Sequence, residues 1–426
     1  MKKVSKIALA GALVVSINGA ALIAPAFAKK KEEAAAGPTI SKEVRDGFVT
    51  AKAALEATPK DLPKAEASIA AMDAAAKSDY EKYIASSLRL ALVNAQSTGQ
   101  TDAQRAAALA PMLDALIANP ATPKNEVAIR TNERAGLSFT QKKYAEAAAG
   151  YQKAKDLGYT DADLLLNMAR SKVEAGDVDG GVAALDQAVK AEEAAGRVPP
   201  EAWYKYAFTR LYKAGKDEAG DAWTAGWLSH YGTKQNWRAA IYTFGFQGPN
   251  AAKYSKNRVD LFRLMWATKS QAGQTEYLQY ADSALKVGLP NEAKVVLDEG
   301  AAANVVPATN VLGKELSGLA KTGIAGSTPA ATKEKNAQAA AKGDLAGQAG
   351  DAYFGSRNYT KAVEMYRLAE SKGPTDADRN SLHLGMALAL SGDKEGAKAA
   401  LAKVASEPNK SIARLWQTYV AAPPAA

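Results

Sequence analysis

Residues 346–408 read AGQAGDAYFGSRNYTKAVEMYRLAESKGPTDADRNSLHLGMALALSGDKEGAKAALAKVASEP. One spacing of small and large residues occurs twice in this stretch, 35 residues apart: Gly350, Tyr353, Ala362, Tyr366, Ala369 and Pro374, then Gly385, Leu388, Ala397, Leu401 and Val404. Such a spacing on either side of a turn predicts a helical hairpin. We interpret Gly350 and Ala362 as the close crossing of two antiparallel helices, and Pro374 as a residue that helps to end the second helix. The stretch therefore predicts two consecutive hairpins.

Related spacings occur earlier in the chain, over residues 131–191, 201–234 and 277–303. In the first range, five positions recur at an interval of 34 residues. The positions that define the repeats best here are Ala147, Tyr151, Gly181, Leu185, Ala293 and Leu297. Residues 39–130 show helical periodicity only, which indicates degenerate hairpins of the same kind. The sequence thus predicts an all-α chain built from helical hairpins.

Breaks in composition divide the chain further. Gly323, Gly326 and Pro329 interrupt a stretch of low complexity, and they predict a flexible joint near 323–332 between two helical arrays. The predicted organisation is a signal peptide (1–28), a disordered leader (29–38), a helical array (39–310), a low-complexity linker (311–345) and a C-terminal repeat pair with a capping helix (346–420).

These repeat residues resemble the tetratricopeptide repeat superfamily, and the chain looks most like the alanine-rich exported members found in Gram-negative bacteria. The resemblance implies a right-handed α–α superhelix whose first helices line a groove for an extended peptide or a partner helix. The resemblance implies no catalytic activity. One subfamily grips peptide carboxylates with lysine, asparagine and arginine. Here Asn132 and Asn167 lie near such positions, but the lysines are missing and Ile129 and Leu166 lie nearby, so we do not infer that clamp.

The N-terminus predicts export. Lys2, Lys3 and Lys6 precede an apolar run, and Ala26-Phe27-Ala28 fits a cleavage site after Ala28. We therefore expect a periplasmic or secreted protein, with no transmembrane segment after cleavage. The chain carries a formal charge of +9, of which the signal contributes three lysines, so the mature chain carries +6. Nucleic acid is not a predicted partner, because no dense basic stripe is present.

No catalytic, cofactor or metal site is predicted. The chain has no cysteine and two histidines, His230 and His383, and neither has a partner at a ligand or catalytic spacing. We expect a protein without enzymatic activity and without a cofactor.

Residues 203–280 differ from the rest of the chain. They hold 17 of the 31 aromatic residues and a net charge of +6, which equals the charge of the mature chain. One interpretation is a basic, aromatic recognition surface, since aromatic residues and arginine are favoured anchors. The other is a bulky core with a solvated basic exterior. On the first interpretation, the candidate partner-binding residues are Trp237, Arg238, Arg258, Arg263 and Trp203.

The leading functional hypothesis is a periplasmic scaffold that binds a segment or helix of another envelope protein. One alternative is a binder of anionic envelope polymer or glycan through residues 203–280. A second is an accessory subunit of an envelope enzyme.

The export hypothesis makes a direct prediction. The mature chain should begin at Lys29, because cleavage follows the small residues at 26 and 28. N-terminal sequencing of the exported protein measures this. An intact N-terminus recovered with membranes would contradict it and favour an uncleaved anchor.

Overall fold

The computed structural model describes residues 38–248 and 250–424, and those residues form helices without any strand. The predicted all-α class is confirmed. The predicted signal peptide (1–28) and almost all of the predicted leader (29–38) lie outside the described residues. Most of the described helices pack against the next helix along the chain, which fits the predicted order of hairpins.

The chain forms two compact units, residues up to Ala188 and residues from Val189. The first unit, unit 1, holds α1 (Lys42–Glu56), α2 (Leu62–Ala75), α3 (Asp79–Gln96), α4 (Asp102–Ala118), α5 (Lys124–Thr140), α6 (Tyr144–Asp156), α7 (Ala162–Glu174) and most of α8 (Val178–Ala194). The second, unit 2, holds α9 (Glu201–Lys213), α10 (Asp217–Tyr231), α11 (Lys234–Gly245), α12 (Asn250–Lys253), α13 (Arg258–Ala267), α14 (Gln274–Lys286), α15 (Pro290–Ala302), α16 (Val311–Ala325), α17 (Ala330–Ala339), α18 (Asp344–Gly355), α19 (Tyr359–Lys372), α20 (Ala377–Ser391), α21 (Lys394–Ala402) and α22 (Asn409–Ala421).

The repeat positions pack as small–large contacts between the two helices of a hairpin. A Cβ built on Gly350 would lie 2.5 Å from the ring of Tyr366, and one on Gly385 would lie 2.5 Å from Leu401 Cγ. Ala362 is fully buried. Tyr353 is half-buried, and its hydroxyl donates to Glu334 on α17. The spacing thus reports the closest approach of paired helices, as expected.

The predicted linker over 311–345 is wrong, because α16 and α17 occupy most of it. Alanine and leucine favour helix, and Leu316 and Ala320 are spaced to bury one face of α16. At the end of α17, the Lys372 ammonium donates to the carbonyl oxygens of Ala337, Gln338 and Ala340 at 2.7–2.8 Å. A lysine in that place satisfies carbonyls that have no partner within the helix. The flexibility of 323–332 stays a prediction, but this segment joins helices of one unit.

The C-terminal helix does more than cap the last hairpin. Trp416 of α22 is fully buried, and α22 packs on α20 and α21 as predicted. It also packs on α10, where the Arg414 guanidinium donates to Asp221 at 3.0 Å and to Glu218 at 2.8 Å. Unit 2 therefore brings residues near 220 and residues near 415 into direct contact. Within the described part of the chain, no helix combines the length and the apolar character needed to cross a bilayer.

Two glycines test this packing. Gly355→Ala should destabilise unit 2 by about 1–3 kcal/mol, because the new methyl group would overpack a tight contact. A Cβ there lies 2.9 Å from Glu292 Cβ and 3.2 Å from the backbone nitrogen of Glu292. Denaturant unfolding monitored by circular dichroism measures the change.

Gly318→Ala is the matched control. A Cβ on Gly318 meets nothing within 4 Å, and the residue lies inside α16. Alanine should therefore stabilise by about 0.5–1 kcal/mol through helix propensity. If Gly355→Ala leaves the free energy of unfolding unchanged, the close contact between α15 and α18 is wrong. If Gly318→Ala leaves it unchanged, the assignment of this segment to helix α16 is wrong, and the linker predicted from the sequence is favoured.

Candidate functional site

An open cleft of about 430 Å³ lies in unit 1 between the start of α5 and the connection from α6 to α7. Lys124, Asn125, Ala128 and Ile129 line it from α5, and residues 157–161 line it from the connection. Ile129 and Leu157 are large apolar side chains that are 39% and 41% exposed. The cleft is thus formed by the first turns of α5 and by the connection from α6 to α7, and its lining residues end at Asp161, just before α7.

The end of α6 explains why Leu157 faces the cleft. Gly158 adopts a left-handed conformation with φ of +89°, and its amide donates to the Lys155 carbonyl. The Tyr159 amide donates back to the Ala154 carbonyl at 3.0 Å. These two bonds form a Schellman motif, which reverses the chain at a helix end. Tyr159 then packs against the core that contains Ala154, while Leu157 remains at the surface.

Polar groups flank the apolar side chains of the cleft. The N-cap of α5 is Pro123, which has no side-chain acceptor, so the first amides of α5 have no capping partner from it. At the other wall, Asp161 caps α7 by accepting from the Asp163 amide at 2.8 Å. Burial, and then the charge of Asp161, raise the pKa of Tyr159, so this phenol stays protonated and can donate. The cleft thus combines apolar contact area with backbone and hydroxyl donors.

The residues near the clamp positions lie differently. Ile129 lines the cleft, whereas Leu166 is buried. Asn132 and Asn167 are half-buried on α5 and α7 and do not line the cleft. The decision against a carboxylate clamp stays a prediction.

The candidate residues of 203–280 do not form a common surface. Trp237 is fully buried, and the prediction that it is exposed is wrong. Although it borders a turn, it shares one face of α11 with Ala240, Ile241 and Phe244, and that face packs inward. Trp203 is also buried, at 3% exposure.

The three arginines of the set have three different environments. Arg238 is 39% exposed, donates to Glu276 from Nε at 3.0 Å, and lies over the ring of Tyr242. Arg258 is exposed. Arg263 is 1% exposed, because it lies on α13, in which seven of the ten residues are buried. The prediction that Arg263 contacts a partner is therefore wrong. The aromatic concentration is therefore core, as the second interpretation holds.

Arg263 stands at the centre of a buried charge network. Its Nε and Nη2 donate to the two carboxylate oxygens of Glu292 at 2.9 and 2.8 Å, and Nη1 donates to Asp260 at 3.2 Å. The guanidinium also lies 4.3 Å from the centre of the Phe354 ring. Tyr280 donates its hydroxyl to Glu292. A bidentate pair of this kind is among the strong hydrogen-bonded arrangements of proteins.

His383 joins this network to the last repeats. Its Nδ1 lies 2.7 Å from Asp351 of α18, and its Nε2 lies 3.0 Å from Asp260 of α13. Asp351 also accepts from the Tyr366 hydroxyl at 2.7 Å and from Arg379 at 2.9 Å. His383 is therefore buried and paired, although the sequence offers it no partner at a ligand or catalytic spacing. The partners lie 32 and 123 residues away, so no spacing rule reveals them.

The pKa shifts follow from this geometry. Burial alone would lower the pKa of His383, but the carboxylates of Asp351 and Asp260 outweigh it and raise that pKa. Burial alone would raise the pKa of both aspartates, but the charges of His383 and of the arginines outweigh it and lower them. These shifts favour the charged forms of His383, Asp260 and Asp351.

A catalytic role for this network does not follow from its geometry. His383 is 3% exposed, and both ring nitrogens already contact carboxylates. His230 contacts Glu193 at 3.3 Å near the end of α10. In the described part of the chain, no group of three or more acidic or histidine side chains is placed to hold a metal ion. The cleft of unit 1 is thus the better candidate for a functional site.

Comparison with known proteins adds little. No protein-family model and no curated protein matches this chain. Among solved structures, one described as Naa15/Naa10 bound to HypK-THB aligns over 86% of this chain and 69% of that chain, at 14% identity and a TM-score of 0.21. A similarity at that TM-score carries no argument about function.

Two arginines on α13 test the buried network. Arg263→Met should cost about 3–5 kcal/mol of stability, because it leaves buried carboxylates without their cation. Arg258→Met, at the exposed start of the same helix, should change stability by less than about 0.5 kcal/mol. Chemical unfolding of the two variants measures the difference. Equal effects would show that Arg263 is not buried in an ion pair.

Proposed function

We propose that this chain is an exported, periplasmic scaffold that binds an extended segment of another envelope protein in the cleft between the start of α5 and the connection from α6 to α7. The observation that supports this is the pair of exposed apolar side chains, Ile129 and Leu157, facing one open cleft. Large apolar side chains that share a concave surface are typical of binding sites. The export signal supports the compartment.

The cleft favours a particular kind of ligand. Full burial of a side chain such as Ile or Leu contributes about 1.5–3 kcal/mol, so covering two half-exposed ones gives modest affinity. The segment that binds needs at least one apolar side chain to contact Ile129 and Leu157. Its backbone carbonyls can accept from the Tyr159 hydroxyl and from the first amides of α5. This combination suits a short extended peptide better than a rigid flat surface.

The alternative functions rest on less. A binder of anionic polymer would use the basic side chains of 203–280, and of the three candidate arginines only Arg258 belongs to the exposed residues. Arg238 is paired with Glu276 and Arg263 with Glu292. An accessory subunit of an envelope enzyme is compatible with the same cleft, and it differs only in the identity of the protein bound.

Site-specific photo-crosslinking tests the proposal. A photo-reactive amino acid in place of Ile129 or Leu157 should give adducts with a defined segment of another envelope protein in intact cells, because both positions face the cleft. Val49 of α1, also in unit 1 and 62% exposed, is the matched control position and should give none. Mass spectrometry of the adducts identifies the segment.

Two outcomes would contradict the proposal. Equal yields from positions 49, 129 and 157 would mean that the contacts are non-specific. Strong adducts to anionic polymer, lost as salt is raised, would favour the electrostatic alternative, since screening acts on exposed charges and not on apolar burial.

A further inference from the structure

We propose that His383 is a proton-operated lock that holds α13, α18 and α20 together, so that unit 2 loosens when the imidazolium loses its proton. This goes beyond the proposed binding function and does not depend on it. The lock consists of His383, the two aspartates that it contacts, and the Arg263–Glu292 pair behind them.

The geometry requires a charged histidine. A neutral imidazole has one N–H donor and one lone pair, whereas an imidazolium has two donors. Here Nδ1 faces Asp351 at 2.7 Å and Nε2 faces Asp260 at 3.0 Å. In the neutral ring, one of these nitrogens would present a lone pair to a carboxylate oxygen, and the contact would become repulsive. Both contacts are favourable only when the ring is protonated.

Moving the proton to an aspartate would not relieve this conflict. Asp351 already accepts from the Tyr366 hydroxyl and from Arg379, and Asp260 already accepts from Arg263. A protonated carboxyl group keeps less accepting capacity, so it would weaken one of these bonds. The proton therefore belongs on the ring.

The charges also balance only in the protonated state. Three carboxylates, Asp260, Glu292 and Asp351, meet two arginines, Arg263 and Arg379, and the third cation is His383. Loss of that cation leaves one excess negative charge among side chains that are 11% exposed or less, apart from Arg379. An uncompensated buried charge is strongly destabilising.

Other groups around His383 do not replace its charge. Arg263 Nη1 lies 3.4 Å from Nε2, and its positive charge opposes protonation, but the two carboxylates outweigh it. The ring of Tyr366 on α19 packs against the imidazole at 5.9 Å between centroids.

The charged side chains of α21 and α22, which also pack on α20, contact groups other than His383. On α22, Arg414 faces Asp221 and Glu218 of α10. On α21, Lys398 and Glu395 pair with each other at the surface. The balance at His383 is thus set by α13, α15, α18 and α20.

A narrow cleft borders two carboxylates of the network. It has room for about one water molecule, with a volume of about 20 Å³, and Glu292 and Asp351 are among its lining residues. Ser327 and Lys333 line the same cleft from α17 and the turn before it. A buried group beside such a cleft can gain or lose a proton without global unfolding.

The direction of the pH effect follows from the raised pKa of His383. A base that binds its proton more tightly in the folded state stabilises the fold fully below its ordinary pKa of 6.5, and that stabilisation is lost as the pH rises through the folded pKa. The contacts of His383 therefore hold α13, α18 and α20 together in mildly acidic solution, and they weaken in alkaline solution. Asp221 also titrates in unit 2, because burial raises its pKa to about 6, so the test is made above about pH 7.

Hydrogen exchange of the full chain tests the lock. Between about pH 7 and pH 9, and after correction for intrinsic exchange rates, amide protection in α13, α18 and α20 should fall by about tenfold per pH unit until the folded pKa is reached. Amides of α3 serve as the reference, since both histidines lie in unit 2. Nitrogen NMR of the histidine rings should show both nitrogens of His383 protonated at about pH 7.

Asp351→Asn is the decisive variant. An amide nitrogen in the place of the oxygen that contacts Nδ1 can donate to a neutral Nδ1 and to the oxygen of the Tyr366 hydroxyl, while the amide oxygen accepts from Arg379, so the requirement for a charged ring is removed. Protection in α13 and α20 should then become independent of pH. Should this variant not fold, the wild-type measurement decides. Constant wild-type protection between pH 7 and pH 9, or a neutral His383 ring at about pH 7, would overturn the proposal.

Discussion

Unit 2 depends on the need to satisfy one buried guanidinium. Removing a charge from water costs several kcal/mol even after relaxation, and only a complete set of partners offsets this. Arg263 obtains its partners from α13 itself and from α15, with Asp260 shared with His383 of α20. If these helices separated, the charged side chains of the network would lose the partners that neutralise them. The network therefore fixes which helices lie together, whatever it contributes to net stability.

This constraint accounts for the arrangement of the last repeats. The side of α18 and α20 that carries Asp351 and His383 faces α13 of the same unit, and is thus not available to a peptide. Further along, α22 packs on α10 through Arg414. In unit 1, by contrast, the start of α5 and the turn before α7 leave an open cleft with exposed Ile129 and Leu157. The two units therefore use similar hairpins differently.

The basic and aromatic region shows how a local composition can mislead. Its charge and its rings are concentrated within the same residues, but they serve separate purposes. Trp227, Trp237, Phe244 and Phe262 fill the interior, and arginines in this region neutralise buried or half-buried carboxylates. Formal charge counted along a sequence does not reveal such pairing, because Arg238 and Arg263 find their partners 38 and 29 residues away.

The sequence by itself determined the helical class, the hairpin positions and the small–large contacts, because these depend on residues within one helical hairpin. Gly350 with Tyr366 and Gly385 with Leu401 are examples. The tertiary structure alone decided that α16 packs on α15 and α17 on α18, that Trp237 is buried, and that His383 meets Asp260. Those outcomes depend on contacts between distant segments, and a buried charge can be recognised only when the partners that neutralise it are brought together.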